Sequence, residues 1–197
     1  MSGRGRGRPR ETTHEQIRDA ARTLFLRQGY AATSLQQIAD AVGISRTTLF
    51  HYFPAKRDLM SDEVDASVDR VRAALAASEG LGVVAALAAA IVAALGYTRA
   101  EHDALALRWR IARSDDELRA VIRARTDDAV ELLRDYARRR SPGTDEEVVR
   151  DVVEALLAVS SSASIRWSDR ERPTDDLDDY VAARLAPFAE AMSRMIP

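Results

Sequence analysis

Arg46, Thr47, Thr48, His51 and Tyr52 fall within one seven-residue run. Each ends in a group that can hydrogen-bond a base edge or a phosphate oxygen. Arginine presents paired N–H donors that match the two acceptors of guanine in a major groove, and the others supply single donors or acceptors. Leu49 and Phe53, interleaved with them, recur at helical spacing and mark a second, buried side. A short helix divided in this way can lie in a DNA groove. An ordinary helical hairpin with a polar outer face is the competing reading, so the flanking residues must decide.

The flanks favour DNA. Thr33 stands where an N-cap belongs and Gln36 follows three residues later, the spacing of a capping box. Leu35, Ile38, Ala39 and Val42 give the ensuing helix one apolar stripe. Gly43 ends it, because glycine takes the left-handed conformation without steric cost. Ile44 fills the corner, Ser45 caps the second helix, and Pro54 closes it. A preceding helix over 12–28 starts at a Thr12 or Thr13 cap, with Glu15 or Gln16 behind it. It turns Ile17, Ala20, Ala21, Leu24 and Phe25 towards the pair.

Other chemistry finds no support. The histidines stand at 14, 51 and 102, without metal-ligand spacing. There is no cysteine, which excludes thiolate metal sites and disulfides. No Gly-rich phosphate loop occurs, and Ser160 to Ser162 have no base nearby in sequence. No catalytic residue, metal site or cofactor is expected.

The net charge of −2 hides an asymmetry. Residues 1–58 carry ten basic side chains against five acidic ones, whereas 59–197 carry nineteen against twenty-six. A basic head on an acidic body suits a protein that presents one end to a polyanion. The opening Met1–Arg10 alternates glycine with arginine and reads as a disordered basic arm. Arg6-Gly7-Arg8-Pro9 resembles the core of an AT-hook, so Arg8 and Arg10 are expected in a minor groove. No apolar segment follows the arm as in a signal peptide, and a cytoplasmic location is expected.

The run from Thr33 to Leu59 resembles the DNA-binding domain of the tetracycline-repressor (TetR) family of bacterial regulators. The matching residues are Thr33-Ser34-Leu35, Ile38-Ala39, Ala41-Val42-Gly43, Ser45 to Phe53 and Lys56 to Leu59. The family often has tyrosine where this chain has Phe50, so a phosphate contact from a hydroxyl is lost there. The resemblance implies a homodimer on a palindromic double-stranded DNA operator, released when a small-molecule effector enters the body and moves the fourth helix. Arg46 and Thr47 are expected to read bases. Thr33, Ser34, Ser45, Thr48, His51, Tyr52 and Lys56 are expected at phosphates or the groove edge. A ligand-independent DNA-bridging protein and an activator of the same family are the alternatives. A recombinase-like enzyme would need a nucleophile and a basic channel, which the acidic remainder lacks.

Beyond the head, the reading is all-α, with about nine helices and no strand-like alternation. The expected organisation is an arm over 1–10, a three-helix helix-turn-helix domain over 11–56, and a helical bundle for ligand binding and dimerisation over 57–197. Lys56 is expected to open a fourth helix running to Leu75. Residues 81–97 form an uncharged run of seventeen, too short and too alanine-rich for a membrane span, so a buried central helix is expected. Further helices follow at 99–113, 115–139, 145–167 and 175–195. Small residues over 155–165, with Leu177, Val181, Leu185, Phe188 and Met192, suggest a four-helix seam between two subunits. If the family's ligand cavity carries over, its lining falls to Tyr97, His102, Leu105, Arg108, Trp109, Arg113, Val121 and Trp167. His102, at a helix start, otherwise reads as exposed. The arginine-rich sixth helix and Trp167-Ser168-Asp169 resemble regulators that sense acyl-CoA-like molecules.

Overall fold

The computed structural model describes residues 12–60, 62–114 and 116–196, without the side chains of 60, 62–65, 104, 108, 112–114, 117–118 and 121–126. Among the described residues all regular structure is helical, and contacts divide the chain into two compact units, Met1–Met60 and Ser61–Pro197. The expected arm residues Arg8 and Arg10 lie outside the described residues.

The first unit holds α1 (His14–Gln28), α2 (Leu35–Val42), α3 (Arg46–Tyr52) and a 3-10 turn over Lys56–Met60. Thr13 caps α1: its hydroxyl accepts from the Gln16 N–H, and the Gln16 side chain accepts from the Thr13 N–H, both at 3.2 Å. Ile17, Ala21 and Phe25 of α1 then bury with Tyr30, Ile38, Ala39, Leu49, Phe53 and Leu59. Gly43 adopts φ 78°, ψ 30°, and its N–H donates to Ala39 O and Asp40 O. A Cβ there would meet nothing within 4 Å, so backbone conformation, not space, calls for glycine.

The expected fourth helix is interrupted. Lys56–Met60 winds as a 3-10 turn, and α4 spans Asp62–Ala76. The Asp58 carboxylate accepts from the Ala55 N–H at 2.8 Å while the Asp58 N–H donates to Ala55 O at 3.0 Å. This reciprocal pair closes a turn of its own after Pro54.

In the second unit, α4 is followed by α5 (Val83–Leu95), a 3-10 turn (Arg99–Glu101), α6 (His102–Ser114), α7 (Asp116–Arg140), α8 (Glu146–Ser168) and α9 (Leu177–Met192). The uncharged helix α5 lies at the centre, packed on α4, α7, α8 and α9. It buries Val83, Val84, Ala86, Leu87, Ala90 and Ile91. Its alanines matter because small side chains let several helices approach one axis. No helix among the described residues is long and apolar enough to cross a membrane.

The last carbonyls of α5 would be orphaned in this interior. Arg70 of α4 serves them, donating from Nε to Ala93 O at 3.0 Å and from Nη2 to Ala94 O at 2.7 Å. Gly96 lets the guanidinium lie across the helix end, since a Cβ there would come within 3.1 Å of it. Across α7 and α8, Arg134 joins Glu131 to Glu154, and Arg138 joins Asp135 to Glu146.

The expected subunit seam is largely internal. Leu177, Val181 and Leu185 are buried within their own unit, because α9 uses that stripe to pack on α5 and α8. Ser160, Ala163 and Ser164 are likewise buried, with the Ser164 hydroxyl donating back to Ser160 O at 2.9 Å. Met192 is half-buried, and Phe188 remains 46% exposed.

Two substitutions test these local devices in urea denaturation. Arg70→Met keeps the apolar stem but removes both charged hydrogen bonds, and is expected to cost about 1.5–3 kcal/mol. Gly43→Ala is expected to cost about 1–3 kcal/mol through backbone strain alone. An unchanged midpoint for either would show that solvent or backbone relaxation replaces the device.

Candidate nucleic-acid interface

Helix α3 is held by its ends and its inner face. The Ser45 hydroxyl accepts from the Thr48 N–H at 3.0 Å and shares a 2.8 Å hydrogen bond with the Thr48 hydroxyl. Leu49 and Phe53 are buried, while Phe53 leaves helical geometry at φ −138°, ψ 99° before Pro54. Arg46, Thr47 and His51 are exposed on the opposite side, and Thr48 is half-buried. Arg46 has no carboxylate partner among the described residues; its guanidinium lies 5.3 Å from the ring centre of Phe50, itself 38% exposed. An aromatic face beneath an arginine limits its rotamers without consuming its N–H donors. Arg22, by contrast, is paired with Glu15 and Asp19 of its own helix.

The cap of α2 is shifted one residue from expectation. The Ser34 hydroxyl accepts from the Gln37 N–H at 3.2 Å, and the Gln37 side chain accepts from the Ser34 N–H at 2.8 Å. Thr33 is only 2% exposed. Its hydroxyl donates to Gly29 O at 2.8 Å and accepts from Gln28 Nε2 at 3.2 Å, while Gln36 pairs with Asp40 instead. Thr33 therefore locks the α1–α2 turn and cannot meet a phosphate, whereas Ser34 stands exposed at the α2 N-terminus.

Two other expected contacts act largely inward. The Tyr52 hydroxyl donates to Thr12 O at 2.7 Å, and the ring stands edge-on to His14 at 4.8 Å. Tyr52 thus fastens α3 to the start of α1. The Lys56 ammonium donates to Tyr30 O at 2.8 Å and Thr33 O at 3.2 Å, and lies 4.1 Å from the Tyr30 ring centre. Two of its three N–H bonds are thereby committed to the fold. Sequence spacing does not reveal these ties, since the partners lie 40, 26 and 23 residues away.

In the second unit the structure gathers five of the expected lining residues. Leu105 and Trp167 are buried with Leu177, Tyr180 and Val181, and Tyr97 and Trp109 pack against them. His102, at only 8% exposure, stands edge-on to Trp167 with ring centres 4.9 Å apart. Its expected exposure is overturned because a short 3-10 turn precedes it and carries the helix start inward. That turn is anchored by Asp176, whose carboxylate accepts from the Arg99 N–H at 2.6 Å. The N–H and hydroxyl of Thr98 hold the Glu101 carboxyl below its ordinary range. The side chains of Arg108, Arg113 and Val121 lie outside the described residues. No group of three His, Cys, Asp or Glu side chains suited to a metal ion occurs among the described residues.

Comparison with known proteins extends this picture over nearly the whole chain. Residues 17–62 match the model for bacterial regulatory proteins of the tetR family, and residues 81–193 match the MftR C-terminal domain. The transcriptional activator FasR of Mycolicibacterium smegmatis is 27% identical over 179 residues, covering 87% of this chain and 80% of that one. The putative mycofactocin biosynthesis transcriptional regulator MftR of Mycobacterium tuberculosis is 29% identical over 163 residues, covering 82% of each. Thermus thermophilus FadR, a TetR-family repressor solved in complex with lauroyl-CoA, superposes with a TM-score of 0.52 at 26% identity, covering 91% of this chain and 95% of that one. With a helix-turn-helix in the first unit and a matched regulatory domain in the second, the chain belongs to the TetR family of bacterial transcriptional regulators.

Proposed function

We propose that the protein is a cytoplasmic, homodimeric repressor that binds a palindromic operator through α3 and leaves it when an effector enters the second unit. The observation that carries the DNA reading is Arg46: an exposed guanidinium without a carboxylate partner among the described residues, steadied by Phe50 on the outward side of α3. Arg46 and Thr47 read base edges, while Ser34, Ser45, Thr48 and His51 hold phosphates or the groove edge. Tyr52 and Lys56 contribute chiefly by fixing the helix that carries the others. Arg8 and Arg10 extend the contact into the minor groove.

One head reads too few base pairs for a useful site, which argues for two copies on a two-fold axis. Phe188, 46% exposed near the end of α9, and Met195, 48% exposed in the turn beyond it, supply apolar surface that a second copy can cover. For the effector, the cluster of Tyr97, His102, Leu105, Trp109 and Trp167 supplies an apolar lining. The lauroyl-CoA complex of the Thermus relative supports an acyl-CoA-like class. An activator reading draws support from FasR, and reporter expression after deletion of the gene separates the signs: repression predicts a rise, activation a fall.

Fluorescence anisotropy on palindromes from the protein's own promoter region tests operator binding. Arg46→Ala is expected to lose about 1–3 kcal/mol at one operator position and little elsewhere. An equal loss on every sequence would reduce Arg46 to a phosphate contact. Phe188→Arg is expected to yield a folded monomer in sedimentation analysis, since Phe188 is exposed within its own subunit. A variant that stays dimeric would remove the end of α9 from the interface.

A further inference from the structure

Interior polar atoms are nearly always hydrogen-bonded, because an unmatched one forfeits its hydration. Three buried side-chain atoms of the described residues have no partner: His102 Nε2, Trp109 Nε1 and Arg134 Nε. The arginine is satisfied through its other nitrogens, which bind Glu131 and Glu154. The other two belong together. His102, Leu105 and Trp109 follow the i, i+3, i+7 spacing of one face of α6. Leu105 and Trp109 pack on the cluster that holds Trp167, against whose ring His102 stands. The fold can satisfy an indole here, since Trp167 Nε1 donates to Asp175 O at 3.0 Å. It leaves Trp109 unserved.

The demands of the two atoms differ. An indole N–H only donates, so Trp109 requires an acceptor oxygen. His102 Nδ1 lies 3.3 Å from the Asp103 carboxylate, which only accepts; in the tautomer whose Nδ1 donates to it, Nε2 is an acceptor. Two helical turns, about 10 Å along the axis, separate the residues. We infer that this face of α6 selects the effector: an apolar molecule with a carbonyl oxygen for Trp109 and, about two helical turns away, a hydroxyl or N–H for His102. The inference rests on the effector reading above and names the chemistry that site recognises.

Isothermal titration calorimetry with decane, methyl decanoate and methyl 10-hydroxydecanoate tests it on the full-length protein. The native chain is expected to rank them in ascending affinity, each oxygen contributing about tenfold. Trp109→Phe keeps an aromatic ring and should erase the preference for the ester over decane. His102→Phe should erase only the hydroxyl increment. Equal affinity of the native protein for all three probes would overturn the inference without recourse to any variant. So would a ranking that survives Trp109→Phe. If Trp109→Phe raised the melting temperature and no probe were distinguished, the two nitrogens would hold only a water, and the inference would fall. Repeating the titration with operator duplex separates the two readings. Ranked binding without operator release sinks the effector role but keeps the recognition face, and release by an unranked probe does the reverse.

Discussion

A helix of seven residues has almost no stability of its own, because nucleation fixes several dihedral angles before hydrogen bonds compensate. Everything that α3 offers outward therefore depends on what holds it inward. Leu49 and Phe53 bury against α1 and α2, Ser45 caps its start, and Tyr52 pins its end to the carbonyl of Thr12. Lys56 adds a second tie by bridging the carbonyls of Tyr30 and Thr33. With the backbone so constrained, Arg46 is presented with little freedom left to lose on binding. That is the condition under which a few side chains can discriminate base pairs.

The second unit solves a different problem. Its central helix is apolar all round, which suits a largely buried position and leaves no polar side chain to close its own C-terminus. Arg70 supplies that closure from a neighbouring helix, and Gly96 leaves room for it. Beside that same end of α5, where Leu95 and Tyr97 pack on the cluster around Trp167, polar atoms on α6 stay unmatched near aromatic rings. One region is completed within the fold and the other is not, a distinction that a list of buried residues would conceal.

Much of this was legible in advance because it is local. The Ser45 and Gly43 signals act over three or four residues, a cap at Thr12 or Thr13 was narrowed to Thr13 by the structure, and helical periodicity identified the stripe of Ile17, Ala21 and Phe25. The errors share one origin. Thr33 and Ser34 are adjacent hydroxyls with equal claims to a cap, and Gly29 and Gln28 settled the matter by engaging Thr33. Leu177, Val181 and Leu185 form a stripe fit for any partner, and α5 and α8 within the same subunit took it. His102 carried no sign of burial, since the Arg99–Glu101 turn that tucks it inward is anchored by Asp176, far along the chain.

The sequence by itself therefore determined the all-helical class, the cap of α3, the glycine turn and the chemistry of the outward residues of α3. These follow from interactions between near neighbours and from the types of side chain present. The structure decided which hydroxyls cap α1 and α2, that the apolar stripe of α9 packs within its own unit, that Tyr52 and Lys56 serve as ties, and that two nitrogens on α6 go unmatched. Those outcomes depend on which distant segments come together, and a donor or an apolar stripe carries no mark of the partner it will meet.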